Sequence, residues 1–127
     1  MPQRSLRTID TIPVGPLGII PLQSCAELGK EVDKYLVNWR HANTSEHKTN
    51  IIFSGYEKDS YIVNASVPRF GSGEAKAIIS ESVRGKDIYL IVDVCNYSIT
   101  YSLCGMTNRM SPDDHYQDLK RIIAAIA

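Results

Sequence analysis

Ile88-Tyr89-Leu90-Ile91-Val92 is an unbroken apolar run between the charged corner Glu81-Ser82-Val83-Arg84-Gly85-Lys86-Asp87 and the acidic Asp93. A run without alternation has no solvent face, and at this length it predicts a strand at the centre of a sheet covered on both sides. Parallel strands need crossovers, usually helices. Upstream, Leu17-Gly18-Ile19-Ile20-Pro21-Leu22 reads as a second buried strand. Ser24 follows with Glu27 three residues on, the pattern of a capping box. Leu28, Val32, Tyr35, Leu36 and Trp39 then make one helical stripe, with Lys30, Glu31, Asp33 and Lys34 on the other face. Strand then helix is the first half of a βαβ unit.

The polar residues 41–48 read as a surface loop, residues 50–54 and 60–67 as two strands around the turn-like 55–59, and residues 75–80 as another strand. Ser111-Pro112-Asp113-Asp114 starts a last helix with a serine cap, an early proline and two acids at the positive end of the helix dipole. Leu119, Ile122, Ile123 and Ile126 supply its apolar stripe. No glycine, proline or basic cap ends it, so the chain is expected to stop inside a βαβ crossover, as a truncation would. The predicted class is α/β, a mixed or parallel sheet with flanking helices.

A length of 127 residues allows one domain, and 43% apolar residues are enough to build its core. Fourteen basic residues balance fourteen acidic ones, so no broad field draws the protein to nucleic acid or an anionic membrane. Apolar runs fall far short of the ~20 residues that cross a bilayer, and Arg4, Arg7, Asp10, Pro13 and Pro16 interrupt the start. No nucleic-acid or membrane partner is expected. Residues 1–16 read as an arm without a core of its own. Cys25, Cys95 and Cys104 are an odd number without CxxC spacing, which encodes neither a disulfide framework nor a zinc site and fits a reducing cytoplasm; two of the three sit in or beside apolar stretches, where a free cysteine acts as a small hydrophobe.

Phosphate-loop, dinucleotide, zinc-protease and nucleophile-elbow signatures are absent. His41, His47 and His115 read as solvated surface histidines, and Asp113, Asp114 and Asp118 as acids of a helix start. Asp93, at the end of the most apolar strand, is the carboxylate placed like an active-site residue of an α/β sheet. Arg69-Phe70-Gly71-Ser72-Gly73-Glu74 sets an aromatic and a carboxylate in a glycine-rich turn; by chemistry alone it is a β-turn with Phe70 tucked into the core. Ser82-Val83-Arg84-Gly85-Lys86 is by the same measure a solvated charged corner, though its donors suit a phosphate.

In order along the chain, the Arg69–Glu74 block, a short strand, Glu81-Ser82-Val83-Arg84-Gly85 and the apolar run resemble the N-terminal domain of ribose-phosphate pyrophosphokinases. That family reads RFxDGE, strand, ESVRG, strand. Cys25-Ala26-Glu27-Leu28-Gly29-Lys30 is similar to its first helix, and Pro112 onward to a later long one. The resemblance covers residues 17–127, with an insertion at about 37–60, and implies an incomplete phosphoribosyltransferase-like (type I) domain. It implies an enzyme that moves diphosphate from ATP to ribose 5-phosphate with Mg2+, assembled as dimers and hexamers in the cytoplasm. It further implies that Phe70 stacks adenine and Glu74 holds its amine in a neighbouring subunit's site, with Ser72 where the family has aspartate. Ser82 and Arg84 would touch a regulatory phosphate or ADP. No catalytic residue carries over, so the 127 residues alone are expected to be inactive. Two other readings stand beside this one: a non-catalytic regulatory or associated subunit, and a small nucleotide-binding module of another pathway.

Overall fold

A computed structural model describes residues 15–46 and 57–127. In chain order they form β1 (Leu17–Pro21), a 3-10 turn (Gln23–Cys25), α1 (Ala26–Glu46), β2 (Ala65–Ser66), β3 (Ile78–Ile79), β4 (Asp87–Ile91), β5 (Thr100–Leu103), β6 (Met106–Arg109) and α2 (Pro112–Ile126). This is a mixed α/β fold. β1 runs parallel to β4 over its whole length, from Leu17 opposite Asp87 to Pro21 opposite Ile91. β2–β3 and β5–β6 are antiparallel pairs. Among the described residues no helix is long and apolar enough to cross a membrane.

Among the described residues the strand bonded on both edges is β1, not the apolar run. On its second edge the Ile19 N–H donates to the Tyr61 carbonyl and the Val63 N–H donates to the Ile19 carbonyl, each at 2.8 Å. Ile19 and Ile62 form a parallel bridge. Ile19 and Ile20 are accordingly buried at 2% and 0% exposure. Gly18 makes the fit possible, since a β-carbon there would lie 2.7 Å from Ile88 Cδ1 and 3.1 Å from Val63 Cγ2. In β4, Ile88 and Leu90 turn inward against the core while Tyr89 is 62% exposed. The expected doubly covered centre is therefore a strand with one open face. A tyrosine counts as apolar in a pattern yet tolerates water through its hydroxyl.

One core gathers these elements. Ile20, Leu22, Val63 and Ile122 are buried together, and Ile79, Val83, Leu119 and Ile126 pack against them. Four such aliphatic side chains contribute about 1.5–3 kcal/mol each on leaving water. α2 is placed by its start: Ser111 Oγ accepts from the Asp114 N–H at 3.1 Å, and Asp114 Oδ2 accepts from the Ser111 N–H at 2.8 Å, a complete capping box with Pro112 in the first turn. Of its predicted stripe, Ile123 is 49% exposed and the others face inward.

The first helix departs from its expected form in three ways. Ser24 is no cap, because α1 begins at Ala26 and Ser24 Oγ instead accepts the Asp93 N–H at 3.0 Å, while Glu27 turns to Lys30. The helix continues to Glu46, through most of the expected 41–48 loop and into the expected insertion. The expected strand at 50–54 lies outside the described residues. The buried face is also rotated: Leu28 and Tyr35 are 55% and 67% exposed, whereas Gly29 and Asp33 are buried.

Those two residues explain the rotation. Asp33 accepts the Tyr61 N–H at 2.6 Å through Oδ1 and the Ser60 hydroxyl at 2.8 Å through Oδ2, so α1 holds the strand beside β1 by a carboxylate rather than by oil. Gly29 meets the end of β1, where any β-carbon would be built into the Pro21 ring. Gly29→Val is therefore expected to lower stability by about 2 kcal/mol through overpacking, measured as a fall in the urea midpoint with an unchanged slope.

Candidate functional site

Arg69 and Ala75 form an antiparallel bridge that closes the glycine-rich turn between them. Inside it the Phe70 N–H donates to the Glu74 carbonyl at 2.7 Å and the Gly73 N–H donates to the Phe70 carbonyl at 2.9 Å. Gly73 has φ +90°, a backbone angle that side chains disfavour. The tight turn drives Phe70 outward. Its ring is 47% exposed, with Lys76 Nζ 5.8 Å from the ring centroid. Phe70 is thus not tucked into the core. Ser72 and Glu74 are exposed beside it, and Ser72 Oγ faces the Glu74 N–H at 3.5 Å, the limit of a hydrogen bond.

Residues 81–87 make a second turn, held by the Lys86 N–H donating to the Val83 carbonyl at 3.0 Å and by Gly85 at φ +76°. Gly15 packs on this turn so closely that a β-carbon would stand 2.5 Å from the Gly85 carbonyl oxygen. Lys86 pairs with Glu81 at 2.5 Å. The Arg84 N–H approaches Ser82 Oγ at 3.4 Å, and both side chains are exposed. Among the described residues the Arg84 guanidinium has no hydrogen bond or ion pair, so it remains open to an anion. Asp93 is exposed at the end of β4, where Oδ1 accepts the Cys95 N–H at 2.9 Å. That bond stabilises a local turn.

Where α2 meets β5 and the glycine-rich turn lies polar machinery that the sequence pattern passed over. Arg69 and Asp118, with side chains only 9% and 10% exposed, form an ion pair at 3.2 Å. Arg121 adds a second at 2.8 Å. The Arg69 guanidinium also stacks on Tyr101 of β5 at 4.3 Å from the ring centroid. Asp118 is thus no solvated helix-start acid. Burial pushes its carboxyl above the ordinary 3.8, against the opposing pull of Arg69 and Arg121.

His115 is 3% exposed and its Nε2–H donates to the Asn96 carbonyl at 2.7 Å, which overturns the solvated reading. Both residues fall on the stripe of Leu119 and Ile122, and polar side chains at those spacings were the available signal. His115 and Asp118 line a cavity of about 460 Å³ with Leu22, Ser24, Ser66 and Met110. Of the cysteines only Cys25 behaves as a buried hydrophobe; Cys95 and Cys104 are exposed.

The described residues include no group of three His, Cys, Asp or Glu side chains placed to hold a metal ion. Their chemistry is instead that of a presented ring, a nearby carboxylate and a free guanidinium.

Arg69→Met leaves Asp118 buried with one partner fewer, and is expected to cost about 3 kcal/mol. An acid whose folded-state pKa is raised keeps its full stability contribution below the unfolded value and loses it as pH climbs through the folded value. Removing the Arg69 pull raises that value further. The deficit against the parent should thus be smaller near pH 4 than at pH 8, measured by urea unfolding at both.

A family model described as the N-terminal domain of ribose phosphate pyrophosphokinase matches residues 17–127. No curated protein and no solved structure matches the chain. The chain belongs to the family whose model it matches.

Proposed function

We propose that this member of the ribose phosphate pyrophosphokinase N-terminal-domain family supplies the adenine-contacting turn of an enzyme that moves diphosphate from ATP to ribose 5-phosphate. The observation that carries the reading is Phe70, an aromatic ring held nearly half exposed by a closed hydrogen-bonded turn. An apolar ring normally leaves water, and a base with two π faces is a natural cover for it. Glu74 stands next to it to accept from an exocyclic amine. Ser72 offers a hydroxyl where the resemblance places a carboxylate, which costs about 1 kcal/mol of contact. The family resemblance implies that the adenine it stacks belongs to a neighbouring subunit's site in a homo-oligomer.

Adenine contact contributes to diphosphoryl transfer at a distance. The β-phosphorus being transferred must lie in line between the leaving oxygen of AMP and the C1 hydroxyl of the acceptor, and binding energy collected at the base helps to fix that line. The Mg2+ that the family resemblance implies would find no group of three His, Cys, Asp or Glu side chains to hold it among the described residues. On the same reading Ser82 and Arg84 take a regulatory phosphate or the diphosphate of ADP, the guanidinium forming the charge-assisted pair. The enzyme works in the cytoplasm.

The substitution at Ser72 favours a second reading, a regulatory or associated subunit that keeps the interface and not the turnover. The two differ in catalysis. The 127 residues alone are expected to release no AMP from ATP and ribose 5-phosphate, whereas the complete protein does so if it is the enzyme. Phe70→Ala in the complete protein should weaken ATP binding about tenfold, one stacked ring's worth, and leave ribose 5-phosphate binding unchanged. An unaltered ATP titration would remove the adenine role.

A further inference from the structure

We propose that Arg69 is a positioning residue, and that through Asp118 and Tyr101 it sets the direction in which Phe70 is presented; the inference rests on the adenine reading above. One residue performs two tasks here. The backbone of Arg69 closes the turn by bridging to Ala75. Its buried side chain is gripped from two other elements, by Asp118 of α2 at 3.2 Å and by the ring of Tyr101 of β5 at 4.3 Å. Phe70 is the next residue, so the first peptide of the turn inherits its orientation from that grip.

The β5–β6 hairpin also reaches the turn itself. Cys104 Sγ lies 3.9 Å from the Gly71 carbonyl oxygen, and a β-carbon on Gly73 would stand 3.8 Å from Leu103 Cδ2. The ring is exposed, yet the backbone that carries it is backed. A guanidinium suits this junction because its flat face stacks on Tyr101 while its N–H edge meets a carboxylate, which a lysine ammonium does not do. Stacking on a free base gains most when the ring need not be ordered on binding. The hairpin thus acts as a support for nucleotide contact, with Tyr101 as its contact point.

Replacing Arg69 is a poor test because it also takes from Asp118 one of its two partners, so the variant is Tyr101→Leu with Tyr101→Phe as the conservative control. In the complete protein, amide hydrogen exchange should quicken at Phe70 and Gly73 on the order of tenfold in Tyr101→Leu, with the β1 amides unchanged. ATP titration should weaken about fivefold, ribose 5-phosphate titration should not move, and Tyr101→Phe should restore both readings. Exchange that stays slow in the turn, or that rises equally in β1, overturns the proposal. So does Phe70→Ala weakening ATP binding while Tyr101→Leu does not. If the turn loosens as stated but neither Phe70→Ala nor Tyr101→Leu alters ATP binding, the adenine reading fails and the anchoring role of Tyr101 remains.

Discussion

Ile19 is the peptide on which the described fold turns. Its N–H and carbonyl bind residues 61 and 63 on one edge, and the ladder with β4 runs along the other. A strand paired on both sides leaves no backbone group to water, so its side chains must be small or branched and its neighbours close. Gly18 allows that closeness, and the burial of Ile19 and Ile20 follows from it. α1 then packs where Gly29 meets Pro21, and the turn at Gly85 is reached because Gly15 lies flat against it. The corner with Ser82 and Arg84 is therefore set by the entry to β1 as much as by its own residues.

A second constraint is electrostatic. Two arginines and one aspartate share a site with little solvent, and such a cluster is tolerated only when each charge has a partner. Asp118 has two, and Arg69 has a carboxylate and a ring. Buried ion pairs often add less net stability than well-packed apolar side chains of the same volume, but they are directional. This cluster specifies how α2, the hairpin and the glycine-rich turn meet, which an apolar contact leaves looser.

Much of this frame was legible in the residues. The branched run at β1, the serine cap of α2 and the order of motifs from Arg69 to the apolar strand were each read correctly, because local chemistry decides them. The failures share a physical cause. Ser24, Asp33, His115 and Asp118 are polar residues whose partners lie far away in sequence, at Asp93, Tyr61, Asn96 and Arg69. A pattern that counts polar residues as solvated cannot find such pairs. Tyr89 and Leu28 fail the opposite way, as apolar residues left facing water. At the candidate site the five residues Phe70, Ser72, Glu74, Ser82 and Arg84 do fall on two exposed turns, but Phe70 stands outward because of Gly73 and the Arg69–Ala75 bridge, a tertiary outcome.

The corner at residues 93–96 bears on motion. Ser24, at the entry to α1, accepts the Asp93 N–H on its hydroxyl and the Asn96 side-chain amide on its carbonyl, while the Asn96 carbonyl accepts a hydrogen bond from the imidazole of His115 in the first turn of α2. Three hydrogen bonds thus join the starts of both helices to one short peptide. A displacement of that peptide, whatever its source, is felt by both helices at their N-termini together, as two doors hung on one post swing when the post is leaned on.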